Sequence, residues 1–216
     1  MTSNLTAPII HYDRIRIKSD GHGIRTLVFF YGCPLRCQYC LNPHTWNGSK
    51  KGKVYSTQEL LKEVEIDSLY FQATNGGITF GGGEPLLYPN FIKEFIEIAP
   101  IEWNYWIETS LSVPFENIEK IAPFISKFVV DIKTLNENTY KEYTKKSGDI
   151  VKENLMKLLA LVGAEKIWVR VPYIPDYTSK EEQLETVKNL QELESKELSM
   201  VYLARMVYLE KSMFQE

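Results

Sequence analysis

Three cysteines in one short stretch constrain this chain more than any other feature. Cys33, Cys37 and Cys40 have C-x3-C-x2-C spacing and are the only cysteines in the sequence. An apolar run at residues 27–31 precedes them and predicts a buried strand, and Gly32 then allows a tight turn into a loop. Grouped thiolates select zinc, copper(I) or an iron–sulfur cluster. Because no fourth cysteine exists, one coordination position is left open for a substrate or cofactor.

Short apolar runs alternate with amphipathic stretches along the rest of the chain. Six runs predict strands, at residues 27–31, 76–80, 103–107, 127–130, 166–171 and 200–203. Six stretches predict helices, at residues 56–71, 90–99, 115–121, 137–143, 150–162 and 180–194. The first of these helices begins with a predicted capping box, Ser56 with Glu59. The alternation indicates a parallel sheet with helices outside, but it does not separate a partial barrel from a doubly wound sheet.

Polar side chains follow one predicted strand after another. The cysteines follow the first strand, Glu84 the second, Glu108 and Thr109 the third, and Asp131 and Lys133 the fourth. Barrel enzymes place their active sites at the carboxyl ends of the strands. Arg170 lies within the apolar fifth strand, where a guanidinium needs a partner. This arginine is either an active-site residue or one half of a structural ion pair.

Length and charge exclude several classes of protein. A chain of 216 residues can form one sizeable core. We expect no membrane association, because no apolar run approaches the roughly 20 residues of a membrane span. The N-terminus does not resemble a signal peptide, so we expect a cytoplasmic protein with reduced thiols. A net charge of −3 gives no indication of nucleic-acid binding.

The cysteine loop and its flanks resemble a known family. The stretch DGHGIRTLVFFYGCPLRCQYCLNPHTW is similar to the N-terminal signature of glycyl-radical-enzyme activating enzymes in the radical S-adenosylmethionine (SAM) superfamily. Within that family, the stretch resembles the signature of pyruvate formate-lyase activating enzymes. His22 and Leu41 depart from that pattern, in which Pro and His are usual. The resemblance extends from about Ile10 to Tyr177, and the segment from about residue 178 is divergent.

Three later motifs strengthen the resemblance. FGGGEP is similar to the GGE motif of the superfamily, with Gly81 where Ser or Thr is usual. WIETS and VVDIK occupy the places of the family's DTNG and DLK motifs, with Glu108 in place of Asp. The late family sequence PYHxLG, whose histidine contacts SAM, has no counterpart here.

The resemblance implies a fold, cofactors and a reaction. The fold would be α/β, a partial (β/α)6 barrel of the radical SAM type, with residues 1–216 as a single domain. The three cysteines would hold a [4Fe-4S] cluster, and SAM would occupy the fourth iron site. Reductive cleavage of SAM would give a 5′-deoxyadenosyl radical that abstracts hydrogen from a glycine of a partner glycyl radical enzyme. The lack of further cysteines indicates a short form without a ferredoxin-like insert.

The resemblance also assigns the SAM contacts, residue by residue. The predicted cofactor-binding residues are Tyr39, Leu41, Gly82, Gly83, Glu84, Glu108, Thr109, Asp131, Lys133 and Arg170. Among them, Glu84 would bind the SAM ammonium group and Lys133 its carboxylate. Glu108, Thr109 and Asp131 would also lie near a monovalent cation, a hard ion that prefers oxygen ligands.

The implied partners are a glycyl radical enzyme as protein substrate and flavodoxin or ferredoxin as electron donor, with the chain itself a monomer. Two alternatives stay open. One is a radical SAM enzyme acting on another peptide or on a small molecule. The other is a non-catalytic protein that is stabilised by zinc and binds a partner, with His44 as the fourth ligand after the three cysteines.

Overall fold

A computed structural model describes residues 5–17, 20–48 and 52–194. Its strands are β1 (Thr6–Ile17), β2 (Ile24–Phe30), β3 (Lys53–Ser56), β4 (Gly77–Gly82), β5 (Asn104–Thr109), β6 (Lys127–Asp131) and β7 (Ile167–Arg170). They form one sheet in the order β3-β1-β2-β4-β5-β6-β7. Strands β2, β4, β5, β6 and β7 are parallel, whereas β1 pairs antiparallel with β2 and β3.

The helices connect the parallel strands, as the alternation predicts. They are α1 (His44–Asn47), α2 (Thr57–Val64), α3 (Ser68–Thr74), α4 (Pro89–Ile98), α5 (Phe115–Ile121), α6 (Glu137–Thr144), α7 (Asp149–Val162) and α8 (Lys180–Glu194). The capping box is confirmed, because Ser56 Oγ accepts from the Glu59 N–H and Glu59 accepts from the Ser56 N–H. None of the helices in the described residues is long and apolar enough to cross a membrane.

The α/β fold with a parallel sheet is confirmed, and five of the six predicted strands are present. The sixth, at residues 200–203, lies outside the described residues, as does the chain end that lacks the late histidine motif. The sequence analysis missed β1, β3 and α1. Polar and apolar residues are mixed along β1 and β3, so neither strand carries the continuous apolar run of a fully buried strand. The predicted helix at 56–71 is two helices with a 3-10 turn, Glu65–Asp67, between them.

The two faces of the sheet differ in character. Alternate strand residues, among them Phe30, Phe80 and Ile107, pack with helix residues in one hydrophobic core. Residues of the opposite parity face the other side, because successive side chains in a strand alternate. There Trp106 and Trp168 lie with ring centroids 4.8 Å apart. The carboxyl ends of the five parallel strands meet at one edge, which is where the candidate site lies.

Candidate active site

The cysteine loop begins at the end of β2 and is held by three backbone hydrogen bonds, one to α1 and two to α6. The Gly32 N–H donates to the Thr45 carbonyl at 2.6 Å, which ties the loop to α1. The Gln38 N–H donates to the Tyr143 carbonyl at 3.2 Å, and the Arg36 N–H donates to the Thr144 carbonyl at 2.9 Å. These bonds fix the loop against the C-terminal turn of α6. A rigid loop is what a multi-thiolate site requires.

The three thiols are free and partly buried. Burial raises the pKa of Cys33 to about 12, and burial likewise raises the pKa of Cys37, which the charge of Lys133 opposes. A thiol of this kind is deprotonated only with the help of a bound cation. The Trp46 indole N–H already donates to Cys40 Sγ at 3.4 Å, a contact that stabilises a thiolate. The donor set is therefore suited to an iron–sulfur cluster.

The ligand set of the zinc alternative is not brought together. His44 is exposed on α1, and its ring lies 6.0 Å from the ring of His11. Within the described residues, no group of three or more His, Cys, Asp and Glu side chains, the three cysteines included, is placed to hold a single metal ion.

The glycines after β4 are required by backbone contact with the cysteine loop. Gly82 has φ +89°, a conformation that favours glycine. A Cβ on Gly83 would lie 2.1 Å from the Gly32 carbonyl oxygen. The Gly83 N–H donates to the Phe30 carbonyl at 3.0 Å, and the Glu84 N–H donates to the Gly32 carbonyl at 2.7 Å. The glycines thus join the end of β4 to the base of the loop, whatever ligand binds beside them.

Glu84 is buried with only 1% of its surface exposed, and protein donors surround its carboxylate. Oε1 accepts from the Thr109 hydroxyl at 2.8 Å and from the Leu86 N–H at 3.3 Å. Oε2 accepts from the Ser110 hydroxyl at 2.7 Å and from the Ser110 N–H at 2.9 Å. Burial raises the pKa of Glu84, although these donors oppose that shift. In this arrangement Glu84 fastens the end of β4 to the end of β5, a role that the sequence analysis did not predict.

A second cluster of charges spans β5, β6 and β7. Arg170 donates to Asp131 through Nε at 2.6 Å and Nη2 at 3.2 Å, and to Glu108 through Nη1 at 2.9 Å. Lys133 Nζ lies 3.2 Å from Asp131 Oδ2. Two positive and two negative groups therefore balance. Burial alone would raise the pKa of Asp131, but Lys133 and Arg170 outweigh it and lower the pKa to about 2. Arg170 thus has the charged partners that a guanidinium in an apolar strand needs, and the ion pairs lie at the site edge.

The three residues predicted to lie near a monovalent cation already have protein partners. Arg170 donates to Glu108 and Asp131, and the Thr109 hydroxyl donates to Glu84. A guanidinium therefore already provides positive charge between the two carboxylates.

Tyr39 and Leu41 flank the last cysteine and differ in environment. The Tyr39 hydroxyl donates to Asp176 at 2.8 Å, so it connects the cysteine loop to the segment after β7. The Tyr39 carbonyl accepts from the Tyr143 hydroxyl at 3.4 Å. Leu41 is 62% exposed. Leu41 is therefore mostly in contact with solvent, whereas the backbone of Tyr39 is held by α6.

Comparisons with known proteins agree with this geometry. The model of the Radical SAM superfamily matches residues 27–203. A pyruvate formate-lyase-activating enzyme from Clostridium pasteurianum is 35% identical over 83% of this chain and 76% of its own length. A trans-4-hydroxy-L-proline dehydratase activating enzyme from Clostridioides difficile is 27% identical over 85% of this chain and 79% of its own.

Solved structures show the same fold at lower identity. The structure of Streptococcus suis SuiB bound to S-adenosylmethionine has a TM-score of 0.62 and 16% identity, over 84% of this chain and 40% of that one. HydG, a maturase of the [FeFe]-hydrogenase, has a TM-score of 0.61 and 19% identity, over 87% of this chain and 43% of that one.

Proposed function

The chain belongs to the radical SAM superfamily, and on this premise we propose that it activates a glycyl radical enzyme. As a member of that superfamily it is an enzyme that uses a [4Fe-4S] cluster and SAM. The observation that carries the proposal is the rigid three-cysteine loop at the same sheet edge as the paired charges of β5, β6 and β7. The names of its relatives among activating enzymes support the choice of target.

Cys33, Cys37 and Cys40 would ligate the cluster, which when reduced supplies the electron that cleaves SAM to methionine and a 5′-deoxyadenosyl radical. Three protein ligands leave one iron for the amino and carboxylate groups of SAM. The protein's task is to bind, orient and exclude water around this chemistry. The backbone ties at Gly32 and Gly83 hold the ligand loop in place.

The charged groups of the site would orient SAM. Lys133 lies with 18% of its side chain exposed and could pair with the SAM carboxylate by a charge-assisted hydrogen bond. Asp131 and Glu108 would lie near the methionyl and ribose groups, with Arg170 setting their direction. The Glu84 carboxylate is filled by protein donors. The SAM ammonium would therefore displace a donor there or bind the adjoining Gly82–Gly83 backbone.

The remaining assignments complete the proposal. The hydrogen atom would come from the Cα of a glycine on a partner glycyl radical enzyme. A small reduced iron–sulfur or flavin protein, ferredoxin or flavodoxin, would deliver the electron, because the chain has no cysteines for a second cluster. We expect a cytoplasmic monomer in which residues 1–216 form one domain. Val187 and Leu190 of α8 support the single domain, since both are buried in the common core.

The decisive experiment is anaerobic. The protein is reconstituted with iron and sulfide, reduced with dithionite and given SAM, and 5′-deoxyadenosine is measured for wild type, Cys37→Ala and, as a surface control, Lys157→Met. We expect product from wild type and the control only. A colourless zinc-loaded protein that forms no product would overturn the enzyme assignment.

A second measurement addresses the target. The active protein is mixed with a glycyl radical enzyme encoded beside its own gene, and the glycyl radical is sought by electron paramagnetic resonance. A partner variant with its target glycine changed to alanine is the control. SAM cleavage without any protein radical would refute the activase assignment and favour another peptide or a small molecule as substrate.

A further inference from the structure

The hydroxyl of Tyr140 is one of two buried side-chain polar atoms that lack a hydrogen-bond partner in the described residues, and the other, Asn104 Oδ1, lies at the start of β5. Tyr140 lies on α6 with only 2% of its surface exposed. Buried hydroxyls almost always have a partner, because an unsatisfied polar group costs free energy. An orphan of this kind therefore points to a group that binds beside it.

The position of α6 shows where that group must be. The side-chain hydroxyl of Tyr143, three residues further along the helix, donates to the Tyr39 carbonyl of the cysteine loop at 3.4 Å. Side chains at this spacing share one helix face, so Tyr140 faces the same loop. Its ring packs on Gly148, where an added Cβ would lie 3.1 Å from the ring. The ring is thus held in place and its hydroxyl has little freedom to find another acceptor.

The charges around the phenol identify its surroundings. Burial is the largest cause of the raised pKa of Tyr140. The negative charges of Cys37, Glu84 and Cys33 raise this pKa further, and the positive charge of Lys133 lowers it. The charges of two of the three predicted cluster ligands, Cys37 and Cys33, therefore act on the phenol.

The other nearby acceptors are already engaged. Glu84 accepts from Thr109, Ser110 and Leu86. The Tyr39 carbonyl accepts from Tyr143, the neighbouring tyrosine of the same helix. Among the charged groups that act on the phenol, the cysteine sulfurs are the acceptors that remain. A thiolate or a cluster sulfide carries negative charge and accepts hydrogen bonds readily.

We propose that the Tyr140 hydroxyl donates a hydrogen bond to the sulfur of the bound cluster, either a sulfide or Cys37 Sγ, and thereby raises the cluster's reduction potential. The proposal rests on the cluster assignment made above. A donor hydrogen bond stabilises the reduced form more than the oxidised form, because the reduced form carries more negative charge. Tyr140 is then a positioning and tuning residue that makes the cluster easier for an external donor to reduce.

The test is a redox titration of reconstituted Tyr140→Phe, followed by the electron paramagnetic resonance signal of the reduced cluster. We expect about a tenfold lower ratio of reduced to oxidised cluster at a fixed potential, which is a downward shift of about 59 mV for a one-electron couple. Tyr143→Phe is the matched control, since its hydroxyl donates to a backbone carbonyl. Trp46→Phe is a positive reference, because it removes an N–H···S contact that the structure contains.

Two additions keep the result clear. A protein carrying 4-fluorophenylalanine at position 140 fills the space of the hydroxyl without donating, and it serves where Tyr140→Phe does not fold. Electron–nuclear double resonance in deuterated water should detect an exchangeable deuteron coupled to the cluster in wild type, and this coupling should disappear with the substitution.

The outcomes separate the two proposals. A wild-type protein that assembles no cluster would refute the cluster assignment. A wild-type protein that assembles a cluster and cleaves SAM, with an unchanged potential and unchanged deuteron coupling in the 140 variants, would refute the role of Tyr140 alone. An equal potential shift in Tyr143→Phe would refute it too, since the effect would then not belong to the orphan hydroxyl.

Discussion

Replacing Arg170 with methionine tests whether the charge cluster at the strand ends is assembled as described. The variant keeps the apolar stem but removes the guanidinium from between Asp131 and Glu108, with which it has contacts of 2.6 and 2.9 Å. Breaking a buried ion pair costs about 3–5 kcal/mol, because the partner charge is left uncompensated. These side chains are 21–32% exposed, so solvent screens part of that cost.

The pKa of Asp131 bears on the size of the same interaction. Its fall from 3.8 to about 2 corresponds to roughly 2 kcal/mol, shared between Arg170 and Lys133. Because Arg170→Met also leaves Glu108 without its partner, we expect the variant to lower the free energy of unfolding by about 2 kcal/mol at pH 7. The control Lys157→Met removes an exposed pair with Glu153 and should cost about 0.5 kcal/mol or less.

The pH dependence follows from the sign of the shift. A carboxylate with a lowered pKa stabilises the fold above its ordinary value of 3.8, and this contribution is lost as the pH falls toward about 2. Without Arg170 the pKa values of Asp131 and Glu108 rise, so these carboxylates become protonated at a higher pH in the variant than in wild type. The stability gap between wild type and variant should thus be widest at neutral pH and should narrow as the pH falls from about 4 toward about 2.

Anaerobic urea unfolding of the cluster-free protein, followed by tryptophan fluorescence at several pH values, measures this gap. A loss no larger than that of Lys157→Met, or a gap that does not change with pH, would refute the ion network.

Three further predictions concern the neighbouring contacts. Glu84→Gln should lower the free energy of unfolding by about 2 kcal/mol. The new amide N–H₂ would face the Ser110 or Thr109 donors, which would lose their acceptor. Thermal unfolding measures the loss, with Glu97→Gln as the surface control. Gly83→Ala should assemble little or no cluster, because its Cβ would lie 2.1 Å from a backbone oxygen of the loop. Gly81→Ala is the control and should retain iron, because its Cβ meets only a flexible side chain at 3.1 Å. Iron and sulfide analysis of the folded proteins distinguishes the two variants, and equal contents would contradict the packing argument. The affinity for SAM should stay unchanged when choline replaces potassium at constant ionic strength, because Arg170 already lies between the carboxylates of Asp131 and Glu108. Calorimetric titration measures the affinity, and a marked potassium requirement would contradict that geometry.

The parallel part of the fold could be predicted because each strand is a short, continuous apolar run. Such runs are typical of strands that are covered on both faces. Strands β1 and β3 lie at the outer side of the sheet and are partly exposed, so their residues alternate irregularly between polar and apolar. Their existence depends on pairing with β2 and with each other, which is a tertiary property that local sequence does not record.

The candidate site could be predicted as a set of residues but not as a set of contacts. Glu84 was expected to bind a ligand, yet its carboxylate meets Thr109 and Ser110. These residues become neighbours only because β4 and β5 pair in a register that places Phe80 beside Ile107. Tyr140 was read only as part of the helix at 137–143. Its orphan hydroxyl depends on the packing of α6 against the cysteine loop.

The strand register connects the core and the charged cluster. Because side chains alternate along a strand, a shift of β5 by one residue against β6 would exchange the faces of all its side chains. Glu108 would then enter the hydrophobic core without Arg170, and Ile107 would leave it. Both the burial of the apolar residues and the pairing of the charges oppose that shift. The residues that the register keeps in the core are Ile107, Val130 and Val169, and those that it keeps at the site are Glu108, Asp131 and Arg170. The ion network therefore adds specificity to the same sheet that positions it, and a weakened network should loosen the register of β5, β6 and β7 before it affects the distant β1–β3 pair.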